Sequence, residues 1–406
     1  AQLPLHLANA AIAAYLPTLT ALAWRAHRAH RSVPGRTVPT KRFAVLVPAH
    51  NESSLIAETV SKLRLLDYPT DLFAVHVVAD NCTDATAALA TEAGAITHER
   101  FGNPGKGPAL EWLVGRVLSD NPDVDAFVIV DADSVLNGSF LQVMDARLRD
   151  GDRVIQAYYG VKEPEASVAV ATRYAALAAR HYLRPAARDL LNGSVGLFGN
   201  GMVFAADVLR GRALTGHLTE DIELHINLVL SGERVAFAGD AQVTAEMPVG
   251  LDAAQSQNER WERGRLEMAK RYSQRLLRPG RGTAIGDRVR RADVAADLLL
   301  PPTSILALGA TAALGASITG RLLGRSRLST VNLALASSSA LGLGTYVISA
   351  LRMVDAPRSV YRALMHAPRS VLWKARLWTG VLQPSGEVGW QRTARNADAE
   401  VVPCAI

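Results

Sequence analysis

Cysteine is almost absent. Cys82 and Cys404 are the only two in 406 residues, so no disulfide framework organises the fold and a reducing compartment suits the chain. Neither has a metal-ligand partner nearby in sequence, which leaves both thiols inert. There is no internal repeat, and no glycine-rich phosphate loop of the nucleotidyltransferase kind near Pro48. No base-reading or RNA-binding motif accompanies the formal charge of +6, so nucleic acid is not an expected partner. The basic residues bunch instead in Arg25 to Arg42 and Arg260 to Arg291, beside apolar stretches, where anionic lipid would attract them.

Charge is missing altogether from three segments of about 22 residues: Leu3–Trp24, Leu298–Thr319 and Thr330–Leu351. Each is long enough to cross roughly 30 Å of hydrocarbon as a helix. They are rich in Ala, Gly and Ser, so buried soluble helices compete for the second and third. A signal peptide competes for the first, which lacks a basic leader. Arg25, Arg28, Arg31, Arg36, Lys41 and Arg42 follow the first segment, and the positive-inside rule puts that side in the cytoplasm. The expectation is a multi-pass protein of the cell membrane whose catalytic domain is cytoplasmic, with the last two spans forming a hairpin. Arg321, Arg325 and Arg327 in the hairpin loop break that rule, and Pro301–Pro302 would bend the second span.

From Phe43 onward, short apolar runs alternate with amphipathic stretches, which predicts an α/β domain with a mostly parallel sheet. The strands expected are Phe43–Ala49, Phe73–Asp80, Ala95–Phe101, Ala126–Asp131 and Arg153–Tyr159. The helices expected between them are Ser53–Leu66, Asp84–Ala93, Gly107–Leu118 and Ser139–Leu148. Ala166–Leu191 reads as one long helix carrying Arg173, Arg180, Arg184 and Arg188, and Leu218–Leu230 as a helix with acids at its start. Gln255–Leu277 and Arg358–Leu382 read as basic amphipathic helices lying in the membrane interface. Open parallel sheets bind ligands at the carboxyl ends of their strands, so the polar residues there should meet in one crevice.

Those ends carry chemistry. Asp131-Ala132-Asp133 closes an apolar strand, and its two carboxylates suit Mg²⁺ or Mn²⁺ shared with a diphosphate. In isolation a cap or turn explains such a pair as well. Val47-Pro48-Ala49-His50-Asn51-Glu52 and Ala79-Asp80-Asn81-Cys82-Thr83-Asp84 supply acceptors that read a pyrimidine base and ribose, or ordinary loop and cap contacts. Lys106, in Gly105-Lys106-Gly107, opens a helix where a phosphate would be welcome. Thr219-Glu220-Asp221 precedes a helical run; it is a good cap, or a carboxylate placed to take a hydroxyl proton. In Gln257-Asn258-Glu259-Arg260-Trp261, helical spacing puts Gln257, Arg260 and Trp261 on one face. That face offers an amide, a cation and an aromatic plate for a sugar.

In this order and at these separations, the strings resemble the membrane-embedded branch of glycosyltransferase family 2, which includes cellulose, hyaluronan, chitin and poly-N-acetylglucosamine synthases. The likeness covers about Phe43 to Arg265. It implies an inverting enzyme with an α/β GT-A (Rossmann-like) cytoplasmic domain, transmembrane and interfacial helices, a UDP-sugar donor and Mg²⁺ or Mn²⁺. By the same resemblance Asp221 is the general base, beside Glu220, and Asp133 is a metal ligand together with Asp131. Asp80 contacts the base, while Asp131 and Lys106 meet the nucleotide and phosphates. Pro48, His50, Asn51, Glu52, Asn81 and Ala132 complete the nucleotide-sugar side. Gln257, Arg260 and Trp261 line the donor and acceptor end, and Asn200 and Gly201 border the acceptor. Trp390, Arg392 and Thr393 fall where the larger synthases carry a gating segment. The domain plan is an N-terminal span (1–25), a GT-A domain (42–250), interface helices (251–297), two spans (298–352) and a tail (353–406). Three spans are fewer than the large synthases carry, which argues against processive export through one protomer; the acceptor expected is a growing glycan or a lipid-linked one, with lipid bilayer as partner. A homo-oligomer or an export partner would be needed for a channel. Single-sugar transfer to a polyprenyl phosphate or diacylglycerol and a silent membrane scaffold are the competing readings.

Overall fold

A computed structural model describes residues 3–30, 38–214, 219–248, 255–278, 280, 282–324 and 326–381. Trp390, Arg392 and Thr393 lie outside them. Helix α1 (Leu3–His30) leads into β1 (Phe43–Ala49), α2 (Ile56–Arg64), β2 (Phe73–Asp80), α3 (Thr86–Glu92) and β3 (Ile96–Arg100). Next come α4 (Lys106–Asp120), β4 (Ala126–Ile129), β5 (Ser134–Leu136), α5 (Phe140–Arg149), β6 (Val154–Val161) and α6 (Val168–Ala178). A π-helical turn at Ala179–Leu183 joins α6 to α7 (Arg184–Leu190). Then follow β7 (Met202–Ala205), α8 (Ala206–Leu209), α9 (Glu220–Leu230), β8 (Val235–Ala245), α10 (Gln255–Leu277) and α11 (Ile285–Leu299). The chain continues through α12 (Thr303–Leu323), α13 (Arg327–Met353), α14 (Arg358–Ala363), a 3-10 turn at Leu364–His366, and α15 (Ala367–Val381).

The strands form because their apolar runs can be buried on both faces. Along β1, Phe43, Val45 and Val47 join one core while Ala44 and Leu46 join the other, as a side-chain period of two requires. Each large side chain so buried contributes about 1.5–3 kcal/mol. The eight strands run in the order β3-β2-β1-β4-β7-β6-β8-β5. β3, β2, β1 and β4 are parallel, but β7 is antiparallel to both β4 and β6, and β5 to β8. β6 and β8 are parallel to each other, so six of the eight strands run one way and the sheet is mostly parallel, with β7 and β5 running against it. Gly199 and Gly201, at φ +77° and +63°, turn the chain back so that the four residues of β7 run against β4. So short a run has no periodicity to betray it.

Ala166–Leu191 is not one regular helix. Its π turn inserts a residue into the ladder, and the buried Tyr346 of α13 meets it: the Tyr346 hydroxyl donates to the Ala179 carbonyl at 3.1 Å and accepts from Arg184 Nε at 2.7 Å. Arg188 pairs with Asp293 at 3.0 Å and with Asp297 at 3.1 Å, tying α7 to α11. The expected interfacial helix α10 packs on protein along part of its length. Its Met268, Ala269, Tyr272 and Leu276 bury against Ile226 and Val229 of α9 and Val294, Ala295 and Leu298 of α11, so this part of its apolar face meets protein. Pro301–Pro302 ends α11 and lets α12 start afresh. Among the described residues α12 and α13 are each long and apolar enough to cross a membrane. The first expected span, α1, is not among these two; it buries Leu16, Leu19, Ala23 and Ala26 in the core shared with Tyr346.

Asp145 fixes the segment that enters β1. It is 1% exposed and accepts from the Thr40 and Lys41 amides at 2.8 Å and from Tyr68 Oη at 2.9 Å, with Arg149 at 2.8 Å. Asp145→Ala strands these donors and should cost on the order of 3 kcal/mol. The measurement is the apparent thermal midpoint of the detergent-solubilised chain; an unchanged midpoint would refute the latch.

Candidate active site

The carboxyl ends of β1, β2 and β4 do meet. His50 Nδ1 donates to the Asp80 carbonyl at 2.7 Å, bracing the ends of β1 and β2. Asn51 and Asn81 occupy the left-handed region, φ +54° and +51°, which asparagine tolerates. Their side chains hold loops: Asn51 Oδ1 accepts from the Thr83 amide at 2.8 Å, and Asn81 Oδ1 from the Gly102 amide at 3.1 Å. Asp80 is paired with Arg100 and accepts from the Gly105 amide at 3.3 Å. Pro48 lies within β1 opposite Val78, the Glu52 amide donates to Thr86 Oγ1 at 2.8 Å, and the Ala132 carbonyl accepts from Thr59 Oγ1 at 2.6 Å.

Lys106, at the start of α4, is the centre of an acidic cluster. Its Nζ pairs with Asp131 and donates to the Gly199 carbonyl at 2.6 Å. Burial works against the ammonium, but Asp131, Glu220 and Asp221 outweigh it and raise its pKa. A cavity of about 190 Å³ is bounded by Lys106, Glu220 and Asp221 with Ile129, Met202 and Leu224. Burial, and then the neighbouring Glu220, push the Asp221 carboxyl up to about 7; the Ile222 amide, Lys106 and Arg180 pull the other way. Arg260, from α10, feels the same three acids, while burial lowers its pKa. These residues come from α4, β4, α9 and α10, and the sequence motifs named all of them.

Asn200 buckles the β4 end. Fully buried, it accepts from the Asp131 amide at 3.2 Å and donates to Ser134 Oγ at 2.7 Å, and Ser134 in turn donates to Asp133 at 3.2 Å. Gln156 holds the Asn200 carbonyl at 2.9 Å and accepts from the Phe198 amide at 3.0 Å. Tyr159 bears on Asp131, Asp133 and Asp221 together; burial first and those charges second raise its pKa. His181 stacks on Tyr159 at 5.4 Å and on Phe198 at 4.2 Å between ring centroids. Burial pushes the His181 imidazole down to about 3, so the stack is neutral. Tyr159, His181, Phe198, Gln156 and Arg180 were not picked out as site residues. Tyr159 sits near the end of an expected strand, and the rule that found Asp131 would have found it.

The Gln257-Arg260-Trp261 face divides. Arg260 reaches the acids. Trp261 lines a second cavity of about 300 Å³ with Phe198, Ile222 and Arg180. Gln257 Oε1 is buried and makes no hydrogen bond among the described residues. Nor, among them, does any group of three or more His, Cys, Asp or Glu side chains form a metal cage. Asp131 and Asp133 offer hard oxygen ligands, and such a pair binds a cation well only when substrate phosphates complete the shell.

Residues 39–264 match the family model described as Glycosyltransferase like family 2. The chain belongs to this family. A glycosyltransferase of family 2 is thus the setting for these acids. Among similar proteins, Protein RfbJ of Shigella flexneri is 34% identical over 97 residues, 24% of this chain and 68% of that one. The beta-monoglucosyldiacylglycerol synthase of Synechocystis sp. is 26% identical over 239 residues, 56% of this chain. The match spans 48%, about half, of that relative's length. Of solved structures, the mannosyltransferase PcManGT from Pyrobaculum calidifontis, in complex with GDP-Man and Mn²⁺, superposes with a TM-score of 0.53 at 18% identity, covering 86% of this chain and 96% of that one. That likeness establishes the GT-A fold of this family 2 glycosyltransferase.

Gly201 shows how tightly the turn into β7 is packed. A Cβ there would sit 2.4 Å from Val243 Cγ1, at φ +63°, whereas Gly211, at φ +67°, faces open space. Gly211→Ala should cost about 1–2 kcal/mol for the left-handed backbone alone. Gly201→Ala should cost about 1–3 kcal/mol more from overpacking. Denaturant unfolding of both variants measures this; equal losses would contradict the packing.

Proposed function

We propose that this chain is a metal-dependent, inverting hexosyltransferase. It moves a hexose or N-acetylhexosamine from a UDP-sugar to a growing glycan or lipid-linked acceptor, a step of polysaccharide biosynthesis. The observation that carries the reading is the gathering of Asp131, Lys106, Glu220, Asp221 and Arg260 from four elements of the fold. The Mn²⁺ and GDP-Man in the similar mannosyltransferase structure support a nucleotide-sugar donor and a divalent cation. The catalytic unit runs over about residues 42–250, with α10 closing it from outside that range.

Asp131 and Asp133 would hold Mg²⁺ or Mn²⁺, which when bound neutralises charge on the departing diphosphate. Lys106 and Arg260 bind the phosphates, Lys106 exchanging Asp131 for a diphosphate oxygen. Asp80, with the β1 and β2 ends, addresses the uracil and ribose. Asp221 accepts the proton of an acceptor hydroxyl as its oxygen attacks the anomeric carbon. The bond from that carbon to UDP breaks in the same step, the electron pair leaves with UDP, and the configuration inverts. A carboxyl near 7 is better matched to a hydroxyl proton than an ordinary aspartate. Tyr159 walls the carboxylates from water. The α12–α13 hairpin anchors the enzyme at the membrane, with the catalytic domain on the cytoplasmic side. Single-sugar transfer to a membrane lipid remains the second reading, favoured by the Synechocystis relative, a glucosyldiacylglycerol synthase by name.

Asp221→Asn should lower kcat by about 10²–10⁴ while the Kd for UDP with Mn²⁺ stays within about twofold. The base must be ionised, so in the wild type kcat/KM should rise about tenfold per pH unit below about 7 and level off above it. A profile already flat from about pH 5 upward, or full turnover in the variant, would remove Asp221 as the base. Sizing the product separates extension, a ladder, from single transfer.

A further inference from the structure

The displacement step leaves the larger cavity unused. Its walls are apolar side chains of α6, α12 and α13, among them Leu177, Ala307, Leu343 and Val347, with Trp261 and Ile222 at the end nearest the acids. Yet six cations line it, Arg173, Arg180, Arg184, Arg188, Arg265 and Lys374, against two carboxylates, Glu262 and Asp297. Both carboxylates are already engaged. Asp297 pairs with Arg184 at 3.5 Å and Arg188 at 3.1 Å, and Glu262 with Arg265 at 3.2 Å and Lys374 at 3.1 Å. Arg173 and Arg180 are left with no ion pair among the described residues.

Both are placed for an anion. Arg173 donates to the Pro248 carbonyl at 3.2 Å, but its Nη2 is buried with no acceptor. Arg180 is exposed and sits in the π turn that Tyr346 braces, close enough to Asp221 for its charge to lower that carboxyl's pKa. For the half-buried Arg173, an unmet guanidinium N–H on an apolar wall is costly unless a negative ligand arrives.

We propose that this cavity holds a lipid-linked acceptor: a hydrocarbon chain bearing a phosphate or diphosphate, with a sugar beyond it. The chain lies along α6, α12 and α13, the phosphate sits between Arg180 and Arg173, and the sugar rests at Trp261 with a hydroxyl toward Asp221. This rests on Asp221 being the base. The hydroxyl proton goes to Asp221, the oxygen bonds the donor's anomeric carbon, and UDP leaves with the bonding pair. A bare lipid phosphate would need no base, which is why the sugar belongs to the acceptor. Charge complementarity selects this occupant over a neutral diglyceride.

The test is isothermal titration of the full chain in detergent with two probes that share one polyprenyl tail: N-acetylglucosamine on the polyprenyl diphosphate, and the same sugar linked directly to the uncharged polyprenol. The charged probe should bind at least about tenfold tighter, as one charge-assisted contact provides. Arg180→Gln should erase most of that preference and Arg180→Lys retain it, with the Kd for UDP and Mn²⁺ unchanged in both. Equal binding of the two probes, or an undiminished preference in Arg180→Gln, would overturn the lipid phosphate site. Failure of the wild type to bind UDP with Mn²⁺ would instead overturn the glycosyl-transfer reading, whatever the lipid result.

Discussion

Lys106 sits where three carboxylates would otherwise repel one another. Asp131 comes from the end of β4 and Glu220 and Asp221 from the first turn of α9, and like charges at such separations cost several kcal/mol in a partly buried site. The ammonium, hydrogen-bonded to the Gly199 carbonyl and paired with Asp131, makes their approach tolerable. Arg260 adds a second cation from α10. The neighbouring structure serves this arrangement. Asn200 and Ser134 pin the Asp131–Asp133 loop, and Gly199, at φ +77°, supplies the left-handed backbone that presents its carbonyl to Lys106.

The same electrostatics sets Asp221 apart. Asp221 is removed from water and set beside Glu220, and its counter-charges are shared. A carboxyl whose proton affinity is raised in this way is suited to receive a proton during displacement.

Much of this was legible before the fold was known. β1 and β2 begin and end where the apolar runs do, because a strand buried on both faces leaves no ambiguity in sequence. Asp80, Asp131 and Asp133 follow from the rule that ligands meet strand ends. The helix-face spacing of Gln257, Arg260 and Trp261 was real, but it could not say that Arg260 would turn to the acids and Trp261 to the larger cavity. β7 was missed because its four residues are shaped by glycine turns and by partners far along the chain. The π turn was missed because the residue that braces it, Tyr346, lies more than 160 residues away. The packing of α10 on α9 and α11 was not legible, since an amphipathic face looks alike whether it meets lipid or protein. That π turn matters most: it links a helix long and apolar enough to span a membrane with Arg180, and so joins the cavity wall to the acid cluster.

The central claim is that Lys106, Asp131 and Asp133 form one site for a cation and a nucleotide diphosphate, incomplete without either. Mn²⁺ binding followed by electron paramagnetic resonance, with and without UDP, tests it most directly. The expected result is Mn²⁺ affinity at least about tenfold higher with UDP present, since two carboxylates alone leave most of the coordination shell to water. Equal Mn²⁺ affinity with and without UDP would contradict it.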